Sequence, residues 1–448
     1  MRVVIIGASH AGISAAKQLK GVDPSIEVVL IERTHSLAYL ASTLHLVLAE
    51  RLDDLKEGHQ TSINELITLG IHVMLDTQVV EIEAKTHQLR FSSLEGSSET
   101  LTYDKLILAM GSTQPNIPIE LEAGEITTYK SYKEATQALK EFEQVDQVAI
   151  IGAGLIGLEL ADALKEKKEV VLIDRMNDVL FRYFDVELTQ MIKRHLTKQT
   201  RMYLGETIQT IVQDTQTGTQ EIVLTGQTIQ TQAIVYAVNP RPSIELVKDF
   251  LEITSDGTIR TDAYLRTSEP DIYAIGDLIS LPFKNTQETS YIPLLSNAIT
   301  TGLVAAQNIA FDNQLICPSV QRTVVSSFFD LHVASTGITQ EEAPYYGISS
   351  FAYTKTFSPK SYLAKTDSPF VTLKLVYTKE TNQLIGGQLL TNSSHYIEWI
   401  DLISLAINQE TTISELAVMD FYFQPLFNEP IHPISQVALD ILATQQHT

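Results

Sequence analysis

Cysteine is nearly absent. Among 448 residues only Cys317 carries a thiol, which excludes an internal disulfide and any Cys-x-x-Cys redox or metal pair. A single cysteine reads as a packed or linker thiol, because being alone says nothing about being reactive. Long apolar runs are missing too, with no stretch of the ~18 residues a membrane-crossing helix needs. Positive charge is scarce: 32 lysines and arginines face 54 aspartates and glutamates, a net charge of −22. No basic cluster is available to follow phosphates, so neither a nucleic-acid nor a membrane partner is expected. The chain opens directly on the β-rich Met1-Arg2-Val3-Val4-Ile5-Ile6-Gly7, which leaves no room for a charged leader, and a cytoplasmic protein is expected. The other ten histidines beside His10, among them His35, His59, His195 and His447, lie in polar stretches without ligand spacing, so no metal site is proposed.

What is present is apolar substance, 44% of the residues, enough for about three domains at roughly 150 residues each. Two nucleotide-binding units stand out. The first is a strand, Val3 to Ile6, turning through Gly7-Ala8-Ser9-His10-Ala11-Gly12 into a helix. Gly7 permits the tight turn, a small second residue lets backbone approach a pyrophosphate, and Gly12 lets helix pack on strand. Ser9 replaces the middle glycine, which weakens the motif taken alone. The next strand, Glu27 to Ile31, delivers Glu32 at its end, where a carboxylate accepts adenosine ribose hydroxyls.

The second unit has the fuller fingerprint: Val148 to Ile151, then Gly152-Ala153-Gly154-Leu155-Ile156-Gly157, then a helix carrying Glu159. Its second strand ends at Asp174, which suits a free 2′-hydroxyl and repels a 2′-phosphate, favouring NADH. Arg175 beside it could meet that phosphate, which keeps NADPH open. Two such units imply two dinucleotides and electron transfer between them. Further signals are the buried strand leading through Ala109-Met110-Gly111-Ser112, a matching exit before Asn239-Pro240, and the short strand ending in Gly276-Asp277.

These residues, together with Tyr291 to Ala298, Ala334 to Gly337 and Asp420 to Pro425, resemble the pyridine nucleotide-disulfide oxidoreductase family. The nearest branch is that of bacterial NADH oxidases, NADH peroxidases and coenzyme A-disulfide reductases. The resemblance implies an α/β fold with two Rossmann-like domains and a C-terminal α+β dimerisation domain. An FAD domain (1–112 and 240–322) would be split by an NAD domain (113–239), with the interface domain at 323–448. A homodimer follows, because in relatives that last domain closes the partner's flavin site; Phe423 would lie there. Carried over by motif, Gly7, Ser9, His10, Ala11, Gly12, Glu32, Arg33, Ser42, Val80, Ala109, Gly111, Lys130, Asp277, Leu294, Leu295 and Ser296 would hold FAD. Gly152, Gly154, Ile156, Gly157, Glu159, Asp174, Tyr183 and Asn239 would serve the nicotinamide nucleotide.

Four of these bear on chemistry. His10 occupies the place where the family keeps a histidine acting as acid, base or charge stabiliser. Glu159 matches a glutamate set near the flavin and nicotinamide rings, although a carboxylate early in a helix also serves simply as a favourable charge at its positive end. Tyr183 stands where relatives keep a tyrosine that NADH displaces from the flavin, or is plain core. Ser42 is the departure: relatives carry Ser-Cys-Gly where this chain has Ala41-Ser42-Thr43, and a serine cannot cycle through sulfenic acid or a mixed disulfide. An FAD-dependent NADH oxidase or NADH:acceptor oxidoreductase is expected, with dioxygen as acceptor and hydrogen peroxide as product. A reductase of a quinone or small redox protein, and a catalytically decayed sensor or scaffold, are the alternatives.

Overall fold

The computed structural model describes every residue except 94, 95, 97, 115–119, 122–125, 215–217, 239, 360–368 and 446–448. Asn239, expected at the nucleotide site, therefore lies outside the described residues. The chain forms two compact units. The first comprises residues 1–146, 233–282 and 288–319; the second, residues 147–232, 283–287 and 320–448.

The first unit is built on a five-stranded parallel sheet in the order Ile272–Ala274, Lys105–Leu108, Arg2–Ile6, Glu27–Ile31, Ile71–Met74. Its central strands are short Val/Ile/Leu runs with Val3, Val4, Ile5, Leu106, Ile107 and Leu108 fully buried, as expected of strands covered on both faces. Helices His10–Val22 and Leu295–Phe311 pack so closely that a Cβ at Gly302 would come within 2.5 Å of the Ala11 carbonyl oxygen. A three-stranded antiparallel sheet, Thr77–Glu83, Gln88–Ser93 and Ser98–Thr102, stands beside them.

The second unit repeats the nucleotide-binding pattern. Strands Gln147–Ile151, Glu169–Asp174 and Arg201–Leu204 run parallel, with helix Leu155–Leu164 following the first. Its C-terminal part is a five-stranded antiparallel sheet ordered Val324–Phe328, Leu331–Gly337, Leu384–Thr391, Val371–Thr378, Ser350–Phe357. Helices Trp399–Asn408 and Pro433–Gln445 complete an apolar core through Ile400, Ile403, Ile407, Ile434, Val437 and Ile441. No described helix is long and apolar enough to cross a membrane.

Asp185 joins the two parts of this unit. At 1% exposure it accepts from Gln388 Nε2 (2.6 Å), from the amides of Gln340 (3.2 Å) and Glu341 (2.9 Å), and from Lys374 Nζ (2.8 Å); Lys374 is equally buried and also pairs with Glu187. A buried carboxylate deprived of its cation keeps its desolvation penalty without the compensating attraction. Lys374→Met is expected to lower unfolding stability by about 3–5 kcal/mol in denaturant melts, and adding Asp185→Asn should recover part of the loss. A loss no larger than the ~1 kcal/mol of a surface pair would mean that the hydrogen bonds alone hold Asp185.

Candidate functional site

Each unit carries one glycine turn held by one carboxylate. In the first, Gly7 adopts φ +107° and a Cβ there would lie 2.2 Å from the Ala109 carbonyl oxygen; a Cβ on Gly12 would lie 1.9 Å from the Gly7 oxygen. The space is closed to any side chain, so helix and strand meet backbone to backbone. Glu32 fixes the turn, Oε2 accepting from the Ala8 amide (2.9 Å) and Oε1 from the Thr34 amide (2.9 Å). Ser9 caps the helix with extended backbone and no side-chain capping bond, so the amides of the first turn remain directed at whatever anion occupies the helix end. Ala11 is buried behind the turn, and Arg33 is exposed after Glu32.

The same geometry recurs in the second unit. Gly152 has φ +116°, a Cβ on Gly157 would lie 1.9 Å from the Gly152 oxygen, and a Cβ on Gly154 would meet nothing within 4 Å. Asp174 accepts from the amides of Ala153 (2.7 Å) and Met176 (2.8 Å). Ile156 projects from the first helical turn at 45% exposure, and Arg175 is exposed. Glu159 accepts from Ser326 Oγ at 2.5 Å. The Tyr183 carbonyl accepts from Ser335 Oγ at 2.5 Å, and burial pushes its phenol up. Phe423 lies at 47% exposure in the segment before the last helix.

Beside the first turn, the structure gathers a polar chain that the sequence reading left incomplete. Lys130 Nζ donates to the Ser112 carbonyl (2.6 Å) and to Ser112 Oγ, and Ser112 Oγ donates to Asp277 Oδ2 (2.5 Å). Lys130 Nζ is 3.7 Å from the same carboxylate. Burial lowers the Lys130 amine while Asp277 opposes that shift. Burial, and then Asp277, also push the Tyr291 phenol up. Ser112 and Tyr291 carried no role in the sequence reading, although both stood in the quoted segments. Gly111 at φ +68° leaves open space above its Cα, and Gly276, at φ +66°, delivers Asp277. Leu294 caps helix Leu295–Phe311, whose first residues Leu295 and Ser296 are exposed. Val80 is 39% exposed on its strand.

His10 opens its helix. Its Nε2 is 3.3 Å from the Tyr39 carbonyl oxygen and its Nδ1 2.9 Å from Gln60 Oε1. Both oxygens only accept, so the neutral ring, with one N–H, donates to one of them, and the two together favour the protonated form. Burial holds the imidazole below its ordinary value, against raising contributions from Gln60, Tyr39 and Asp277. Ser42 is exposed at the N-cap of Thr43–Leu48 and makes no capping bond with its side chain. Thr43 is buried at 1% exposure, and its Oγ1 would be 2.2 Å from a Cβ placed on Gly58. Cys317 is 6% exposed, and burial pushes its thiol up to about 11. A neutral buried thiol is a poor nucleophile. Among the described residues no group of histidine, cysteine and carboxylate side chains converges as a metal site.

These turns fit dinucleotides: backbone closed to side chains behind, free helical amides in front, and a carboxylate at the ribose end. The family model "Pyridine nucleotide-disulphide oxidoreductase" matches residues 1–302, and that of the family's dimerisation domain matches 323–433. The chain belongs to this family. It is accordingly an FAD-dependent oxidoreductase of pyridine nucleotides. Among its relatives, an NADH oxidase of Enterococcus faecalis is 30% identical over 98% of this chain and 100% of its own. One from Streptococcus pyogenes is 31% identical over 98% of this chain and 99% of its own. Of solved structures, the water-forming NADH oxidase from Lactobacillus brevis, bound to NADH, superposes with a TM-score of 0.95 at 27% identity over both whole chains. An NAD-dependent persulfide reductase from A. fulgidus gives 0.93 at 27% identity, covering this chain fully and 84% of that one.

Two outcomes follow from the site. Asp277→Ala should purify with most of its FAD lost, because the Lys130–Ser112 chain then ends on no charge; a fully yellow protein would contradict that anchoring. Because His10 is held below its unfolded value, the folded state resists a proton that the unfolded chain takes up below pH ~6.5, and stability falls as pH drops from there through the folded pKa. His10→Gln should therefore lose less Tm than the natural protein between about pH 7 and 5. Equal losses would contradict the assignment.

Proposed function

We propose that this chain is an NADH oxidase that returns dioxygen as hydrogen peroxide without a thiol relay. Overall, NADH, a proton and O2 give NAD+ and H2O2. Bound FAD would take up the hydride's two electrons and pass them to oxygen. The observation that carries the reading is Ser42, exposed and free of a capping role, at the place where relatives carry their redox cysteine. Cys317 offers no substitute, buried and with its thiol pushed up to about 11.

The chain's own residues then bind and hold. The Gly7 turn and the first amides of helix His10–Val22 suit a pyrophosphate, Glu32 suits a ribose, and Lys130, Ser112 and Asp277 form the anchor beside them. His10, held below its ordinary value by burial, can donate a hydrogen bond or give up its ring proton, but at neutral pH it adds no fixed positive charge. Asp174, with both oxygens directed by backbone amides, presents a fixed negative charge against a 2′-phosphate and supports NADH over NADPH. Similarity to NADH oxidases over nearly all of this chain supports oxygen as the acceptor, and the match to the family's dimerisation domain supports a homodimer.

The test is an anaerobic NADH titration of the purified yellow protein, followed by oxygen. The expected result is uptake of two electrons per flavin and release of close to one H2O2 per NADH in a catalase-free assay. Ser42→Cys should raise the uptake towards four electrons and lower the peroxide yield. Four electrons in the natural protein, or water with no free peroxide, would overturn the thiol-free reading. Bound FAD with no NADH turnover would replace it with a nucleotide-binding scaffold.

A further inference from the structure

Both ring nitrogens of His10 are met from one short piece of backbone. Residues 38–40 and 58–60 lie antiparallel, with Tyr39 bridged to His59, the Leu40 N–H donating to the Gly58 carbonyl (3.0 Å) and the Gln60 N–H donating to the Ala38 carbonyl (3.2 Å). The Ala38 N–H in turn donates to the Ala8 carbonyl (3.0 Å), in the turn that leads into His10. Successive carbonyls of such a pair point to opposite edges, which leaves that of Tyr39 on the outer edge, 3.3 Å from His10 Nε2. Gln60 Oε1 stands 2.9 Å from Nδ1. The two partners differ in one respect. A backbone carbonyl held in this pair presents an acceptor and nothing else, whereas a side-chain amide, turned about its last bond, presents either an acceptor or a donor at the same place.

We propose that Gln60 is a positioning residue that matches both charge states of His10, offering Oε1 to the protonated ring and Nε2 to the bare Nδ1 of the neutral one. The proposal rests on the reading of His10 as the group that handles a proton in the oxidase reaction, which consumes one proton for each NADH. With two acceptors facing it, the ring is placed as an imidazolium would be, with an N–H on each side. When one proton leaves, the fixed carbonyl keeps the Nε2 hydrogen, and Nδ1 becomes a lone pair facing an oxygen unless the amide turns over. Turning is a side-chain rotation, whereas leaving the pair unmatched forfeits a hydrogen bond. Gln60 is exposed, so Nδ1 is the nitrogen at which the ring exchanges its proton with water. Burial opposes that proton, and Asp277 is the charged group that favours it. The two segments also bring Tyr39, whose phenol burial pushes up to about 12, and His59, whose Nδ1 donates to the Leu37 carbonyl at 2.8 Å. The first turn of the ring's own helix has no acidic residue.

The experiment follows His10 by nitrogen NMR in the FAD-loaded enzyme carrying histidine labelled in its ring nitrogens, with the His10 signals assigned by their loss in His10→Gln. The expected result is a neutral ring with its hydrogen on Nε2 and a titration seen at Nδ1. Gln60→Met, which offers Nδ1 no partner, should lower the titration midpoint by about half a unit. Gln60→Glu, an acceptor that cannot become a donor, should raise it by about one unit and move the neutral ring's hydrogen to Nδ1. Tm and flavin content check that each variant is folded. A neutral ring with its hydrogen on Nδ1 in the natural protein, or a midpoint unmoved or raised in Gln60→Met, would overturn the proposal. The pH profile for reoxidation of the NADH-reduced enzyme by oxygen should move with the midpoint in both variants. If the midpoints move and the profile stays put, the pairing of Gln60 with His10 stands and the reading of His10 as the proton-handling group fails.

Discussion

Everything in this molecule hangs on how closely a helix can begin behind a strand. With the Gly7 oxygen 1.9 Å from where a Gly12 Cβ would be, and the Gly152 oxygen at the same distance from a Gly157 Cβ, the turn is compressed to bare backbone. Once compressed, its amides have no partner within the helix, and a carboxylate from the neighbouring strand ties the turn to the sheet edge. Sheet order, helix packing and charge placement all converge on that one approach, and the chain builds it twice.

Around the first turn the protein assembles an electrostatic frame, with a serine at position 42. A half-buried lysine amine donates to a serine that passes its hydrogen bond to an aspartate, and burial holds the neighbouring imidazole below its ordinary value. Such a frame can hold and orient a redox cofactor without storing electrons of its own.

Local features were readable from the chain. The glycine spacings, the acidic strand ends and the Ile-Gly-Asp segment each lie within a few tens of residues, and each follows from a backbone or charge requirement that leaves few residue choices. What escaped notice depends on distance along the chain. Ser112 meets Asp277 across 165 positions, Ser326 meets Glu159 across 167 and Ser335 meets Tyr183 across 152. A serine in a strand has no signature that distinguishes it from an ordinary surface hydroxyl. The buried pair of Lys374 and Asp185 was hidden likewise, since a lysine inside a strand gives no sign in sequence that its cation is enclosed.

Thr43 ties the residue beside Ser42 into the packing around Gly58. Its side chain fills the space that Gly58 leaves by having none, with Oγ1 2.2 Å and Cβ 2.9 Å from where a Gly58 Cβ would be. Two positions fifteen residues apart are each other's steric complement. Exchanging Ser42 for cysteine together with Thr43 for glycine would open a void of three heavy atoms beneath that turn, at a cost typical of core truncation. Changing position 43 therefore carries a packing cost that changing the exposed position 42 does not.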